Sequence, residues 1–235
     1  MSESTCDCCG TEADRTDERT DVETDGTDTG VSRTDGGTTS TDGEPASRLE
    51  RLIPEDLAEL TAIAYGMDAT PETLADWVDG LQSWARSQAV WPPSFEDLCH
   101  VDDSRHVLEL DGETHQFACV MDPLMAPGLL DHEEMVVRSA SPVEGTEIEF
   151  RIEDGEVEAT PSTTVLSLGA AHSVAQLEGD EFAPEEAYKQ LCAYANAFPN
   201  PTTYEAWAEE TAEAATMALP LAEGLELARA LVDDG

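Results

Sequence analysis

Six cysteines are the residues of this 235-residue chain with the most chemistry in them, and their neighbours decide what that chemistry is. Cys119 and Asp122 stand three apart in Phe117-Ala118-Cys119-Val120-Met121-Asp122-Pro123. A β segment ends near Cys119, and Asp122-Pro123 has the form of a helix N-cap followed by proline at the first helical position. A thiol just before a helix N-terminus feels the partial positive charge of unpaired N–H groups, which favours the thiolate. A carboxylate three residues on can give or take a proton for whatever the sulfur binds. The same residues also fit a buried cysteine beside a capping aspartate.

Cys192 falls with Tyr188, Leu191, Ala195 and Phe198 on an apolar helical face, where core packing is the simplest role. Cys99-His100 follows Trp91-Pro92-Pro93-Ser94-Phe95 in a loop-like stretch. With no second Cys or His at ligand spacing, no structural zinc is expected there. Cys6, Cys8 and Cys9 form a Cys-x-Cys-Cys cluster near the N-terminus. The six are too irregular for a disulfide framework, and no Cys-x-x-Cys redox pair occurs in the folded region. His100, His106, His115, His132 and His172 make no HxH, HExxH or triad-like grouping, and no glycine-rich phosphate loop is present.

Several elements must position these residues. Residues 1–46 are rich in Thr, Asp, Glu, Gly and Ser, so an unstructured acidic tail carrying the Cys cluster is expected. Leu49, Leu52, Ile53, Leu57, Leu60, Ile63 and Ala64 recur at helical spacing. Thr70-Pro71-Glu72-Thr73 reads as an N-cap at Thr70 with proline at the first helical position. The helix it opens carries Leu74, Trp77, Val78, Leu81 and Trp84 on one face. Residues 47–105 are thus expected to form a small helical, winged-helix-like subdomain. A hairpin turning at Asp111-Gly112 spans 106–118, and further strands are expected between 134 and 168 with a turn at Asp154-Gly155. Helices are expected over 184–197, 203–218 and 220–232. The order helices, strands, helices makes the chain α+β, with a mixed or antiparallel sheet core and C-terminal helices.

Charge bounds the partners. With 11 Lys+Arg against 52 Asp+Glu, the formal net charge is -41. The acid is dispersed: residues 1–47 hold 13 acidic and 3 basic residues, leaving 39 and 8 for the remainder. Such a surface repels phosphate backbones and anionic headgroups, so neither nucleic acid nor a membrane is an expected partner. It is best placed in a cytosol with molar salt, that of a halophile, where screening relieves self-repulsion. Met1-Ser-Glu-Ser-Thr-Cys6 lacks a basic and an apolar signal region, so a cytoplasmic location is expected.

The stretch from His106 through Cys119-x-x-Asp122 to Pro127 and Leu130 resembles the core of the organomercurial (alkylmercury) lyases. There a hairpin leads into a Cys-x-x-Asp motif and an apolar helix containing proline. Val137 to Ile148 with Gly145 is similar to the family's strand, turn and glycine segment. Cys192, with Trp207 fifteen residues on, is similar to its second cysteine and tryptophan-bearing helix. The resemblance implies a lyase-like core over 106–235 and protonolysis of carbon–mercury bonds for mercury detoxification. It makes Cys119 and Cys192 the mercury-binding thiolates and Asp122 the proton-handling carboxylate. It further implies no required cofactor, Hg(II) held as product, external thiol for its release, an organomercurial substrate and a mercuric reductase that receives the metal. Cys6, Cys8 and Cys9 become candidate metal-capturing thiols on a tether. The chain departs from the family at Ser141, where a further cysteine is common, and at Gln116 and Ala118, where aromatic residues flank the first cysteine. The competing expectation is a non-enzymatic, thiol-based metal-binding or sensing protein on the same fold.

Overall fold

The computed structural model describes residues 47–130, 132, 134–153, 156–176 and 189–233. The tail with Cys6, Cys8 and Cys9, and the first part of the helix expected over 184–197, lie outside the described residues.

The structure is α+β with two antiparallel sheets. Helix α1 (Glu55–Ala64) and helix α2 (Leu74–Ser87) come first. Strands β1 (His106–Leu110) and β2 (Glu113–Phe117) form the expected hairpin, closed by Asp111 and Gly112 at φ 54° and 82°. Both turn residues take the left-handed conformation that an Asp-Gly hairpin turn requires. Helix α3 (Met121–Leu129) follows directly. Strands β3 (Glu134–Ala140), β4 (Glu147–Glu153) and β5 (Glu156–Thr160) complete a five-stranded sheet in the order β2-β1-β3-β4-β5. Alternate residues of β3 and β4 are buried, among them Met135, Val137, Ile148, Phe150 and Ile152, so one face of this sheet builds core.

The second sheet, ordered β7-β6-β8, has β6 (Val165–Ala171) at its centre, flanked by β7 (Ala197–Phe198) and β8 (Ala214–Pro220). Every residue of β6 is buried, as befits a strand covered on both faces. Helix α4 (Pro201–Glu210) precedes β8 and helix α5 (Leu221–Ala230) follows it. Helix α3 packs on β1, β3 and α5, and α1 packs on β6 and β8. Leu57, Leu60, Leu74 and Val78 of the first two helices belong to the same buried cluster as the sheet residues Phe150 and Leu166. Gln82 of α2 donates to the Ala230 carbonyl at 2.9 Å, and Arg51 pairs with Glu223 at 2.7 Å.

Three local expectations are corrected. The cap of α2 is Thr73, whose hydroxyl accepts from the Asp76 N–H while the Asp76 carboxylate accepts from Thr73, so the helix starts three residues later than a cap at Thr70 would set it. No strand forms among the described residues of 47–105 beyond isolated bridges at Leu52 and His100, so no wing accompanies the two helices there. The helix expected over 203–218 stops at Glu210, and Ala214–Pro220 is strand β8. The alanines of that segment favour helix by propensity, but alternate burial of Ala215, Met217 and Leu219 fits them to the free edge of β6.

Candidate active site

Helix α3 begins two residues after Cys119, and its first residues are Met121 and Asp122. The N-cap is therefore Val120, with Asp122 in the first turn and not at the cap position read from the sequence. Asp122 consequently points its backbone N–H at the Cys119 sulfur, the contact a thiolate at a helix N-terminus would use. The pairing of Val120 N–H with the Ala195 carbonyl at 3.1 Å joins this corner to the segment carrying Cys192.

That segment is not the long apolar helix its sequence suggests. Residues 189–190 are helical, Cys192–Tyr194 form a single 3-10 turn, and the chain then enters β7. Ser167 on β6 anchors the turn from three sides. Its hydroxyl donates to the Tyr194 carbonyl at 2.7 Å and accepts from the Asn196 N–H at 3.0 Å, and its own N–H donates to the Asn196 carbonyl at 2.8 Å. Gly169 lets the turn lie close, since a Cβ there would stand 2.6 Å from the Tyr194 Cβ and 2.9 Å from the Thr216 Cγ2.

Cys99 reaches the same place by a third route. Residues 99–101 run antiparallel beside the end of β2: Ala118 N–H donates to the Cys99 carbonyl at 3.0 Å and Val101 N–H to the Gln116 carbonyl at 2.9 Å. Gln116, where the resemblance expects an aromatic residue, accepts from Ser104 N–H at 2.7 Å and helps hold this segment down. Ser141, in place of a further cysteine, is buried and donates its N–H to the Thr146 carbonyl at 2.8 Å, closing the β3–β4 turn.

Cys119, Cys192, Cys99 and Asp122 thus line one cavity of about 360 Å³. Its walls are apolar and aromatic, with Tyr65, Trp77, Trp84 and Trp91 from the helical part and Met125 and Leu168 from the core. Cys119 is buried, while Cys99 and Cys192 are partly exposed. The four groups act on one another's protonation: Cys119 and Cys99 hold up the Cys192 thiol, Cys192 favours the Cys119 thiolate, and Cys119 and Cys99 favour the Asp122 carboxylate.

Burial decides the charge states. Asp122 is only 5% exposed and its Oδ2 has no hydrogen-bond partner. Desolvation pushes its pKa up to about 6, against the lowering effect of the Cys119 and Cys99 donors. For Cys119 the hydrogen bond from Cys192 is the largest influence and favours the thiolate. Burial and the nearby Asp122 carboxylate oppose it and prevail, so the thiol pKa lies above its ordinary value. The thiolate expected from the helix N-terminus alone is therefore corrected, because the dipole is outweighed by the low dielectric around it. Cys192 is held well up, first by donating to Cys119 and then to Cys99, with burial adding to both. Tyr65 is raised by burial and then by Cys192, Cys99, Cys119 and Asp122, which makes its hydroxyl a neutral donor beside the cluster.

Among the described residues no three His, Cys, Asp or Glu side chains form a ready-made metal cage. Cys119 and Cys192 both have raised pKa values, so loss of their thiol protons would accompany binding of a soft cation. His100 and His115 stack around Phe95 and Phe117 instead of facing a common ligand point. His106 is buried on β1 with its Nδ1 2.8 Å from Ser139 Oγ, and burial lowers its pKa to about 3. Sequence reasoning missed Cys99, Tyr65 and Trp77 as cavity residues. The aromatic face of α2 carried a signal for Trp77, but nothing local marks Cys99 or Tyr65.

No curated protein sequence matches the chain. A solved structure described as the mercury-bound form of MerB2 is similar at 17% identity and a TM-score of 0.45, covering 79% of this chain and 93% of that one. The sequence model of the alkylmercury lyase family, MerB, matches residues 101–233, a span holding Cys119, Asp122 and Cys192. With more than half of its length so matched, the chain belongs to the alkylmercury lyase family.

Proposed function

We propose that this protein is an organomercurial lyase that cleaves carbon–mercury bonds by protonolysis, yielding a hydrocarbon and Hg(II). The observation that carries the reading is one cavity in which two thiols, Cys119 and Cys192, meet a buried carboxyl whose pKa is about 6. Hg(II) is a soft ion and sulfur is its matching ligand. Cys119 is the first nucleophile, because Cys192 S–H and Asp122 N–H both donate to its sulfur. Cys192 then also bonds the metal, the thiol protons of both cysteines leaving to solvent with the ligand displaced from mercury, and two sulfurs push electron density toward the carbon. Asp122, in the protonated form that burial favours, then gives its proton to that carbon. The carbon–mercury electron pair becomes the new C–H bond, and Hg(II) stays between the sulfurs. Apolar walls at Trp77 and Trp84 receive the organic group and exclude water.

In this reading residues 47–105 supply one wall of the cavity and 106–235 the reacting groups. An external thiol removes the product, and a mercuric reductase is the downstream recipient in a detoxification sequence. The charge of -41 suits a salt-rich cytoplasm. Cys6, Cys8 and Cys9 are proposed as tethered thiols that pass mercury on. No helix among the described residues is long and apolar enough to cross a membrane.

The test is incubation with phenylmercury in high salt with excess thiol. Benzene is expected from the parent chain and none from Cys119→Ala, Cys192→Ala or Asp122→Ala. Full activity in any one variant overturns that residue's role, and mercury binding without benzene would favour the non-enzymatic sensor.

A further inference from the structure

Cys99 has a place in this cavity that neither the cleavage step nor the family motif uses. Its carbonyl accepts from Ala118, one residue from Cys119, which fixes its backbone beside the reacting thiol. Cys99 lines the same cavity as Cys192 and Asp122, close enough to raise the Cys192 thiol and to favour the Asp122 carboxylate. Asp122 also keeps an unpartnered oxygen, Oδ2, although the side chain is almost wholly buried and lines the same cavity. A third thiol is therefore poised between the second mercury-binding sulfur and the acid.

We propose that Cys99 is a third mercury ligand, which takes up the Hg(II) product from the Cys119–Cys192 pair and returns a proton to Asp122. The proposal rests on the lyase reading for the origin of that Hg(II), but the binding it describes concerns the ion alone. After cleavage Asp122 is a carboxylate and Hg(II) bridges two sulfurs. The Cys99 S–H bond breaks, its proton goes to Asp122, and a sulfur electron pair forms a third Hg–S bond. No oxidation state changes. One negative charge moves from the carboxylate to the three-sulfur mercury centre, where it is spread over soft atoms, and the buried acid is neutral again and reloaded. With three thiolates on one soft ion any one of them can leave, so Cys99 gives the product a path out of a pair that would otherwise hold it.

The test uses the full chain with Cys6, Cys8 and Cys9 replaced by serine, loaded with one equivalent of Hg(II) chloride and no added thiol. X-ray absorption at the mercury edge reads the number of sulfurs and the Hg–S distance. Three sulfurs at the longer distance of three-coordinate mercury are expected, falling to two at the shorter distance in Cys99→Ser and Cys99→Ala on the same background. Two sulfurs in the parent, or three persisting in both Cys99 variants, would overturn the proposal. Because the parent measurement alone can refute it, a variant that failed to fold would not protect it. Benzene release from phenylmercury by the parent is scored separately. Three sulfurs without benzene would keep the third ligand and sink the lyase reading, and benzene with two sulfurs would do the reverse.

Discussion

Asp122→Asn should make the protein more stable as the pH rises, relative to the parent. The parent carboxyl titrates at about 6 in the folded state, compared with 3.8 when unshielded, because burial disfavours its charge. The folded state therefore binds the proton more tightly than the unfolded chain. Stability from this group is complete below the unfolded pKa and is lost as pH rises through the folded one. A shift of about two units corresponds to about 3 kcal/mol, the cost of ionising Asp122 in place at neutral pH. About half of that cost is already present near pH 5, so the stability difference between Asp122→Asn and the parent should grow by about 1.5 kcal/mol between about pH 5 and 7.5. The amide cannot ionise, and any pH-independent effect of losing the Cys99 and Cys119 contacts drops out of that slope. Urea unfolding of both proteins at constant molar KCl measures it. A difference that stays constant with pH, or shrinks as pH rises, would refute a buried acid with a raised pKa and remove the proton donor from the proposed mechanism.

Gly169→Ala should lower stability by about 1–3 kcal/mol, because its Cβ meets the Tyr194 Cβ and the Ala215 carbonyl at 2.6 and 3.0 Å. Relief by moving the Cys192–Tyr194 turn would also slow single-turnover benzene release, and a parental midpoint and rate together would rule out the tight fit. Thr73→Ala removes the capping box of α2 and should cost about 1 kcal/mol in thermal or urea unfolding. Because the chain carries -41 charges, its unfolding midpoint should climb as KCl is raised from about 0.1 M toward molar concentrations, and a flat response would argue against a salt-adapted surface. Arg138→Ala should change stability by about 1 kcal/mol or less despite its pairing with Glu109 and Glu149, since all three are partly solvent-exposed.

Sequence by itself determined the features governed by neighbours along the chain. The hairpin at Asp111-Gly112 was legible because that turn chemistry is local, and strands β3 and β4 because alternation shows in a single segment. Cys119 just before a helix start was legible for the same reason, although the helix begins at Met121 and places Asp122 in its first turn instead of at the cap. Tertiary structure decided the rest. The alanine-rich segment 214–220 became a strand because β6 offered it an edge, which no helix propensity records. Cys192 left its expected helix for a tight turn because Ser167 and Gly169 hold it against β6. Cys99, read from sequence as a loop residue without partners, was brought to the site by pairing with the end of β2. The protonation of Asp122 depends on how completely the surrounding helices and sheets exclude water from it. Residue order identifies a carboxyl group and two thiols, but their pKa values come from desolvation and from sulfur neighbours 20 and 73 residues removed from Cys119, which exist only once the chain has folded.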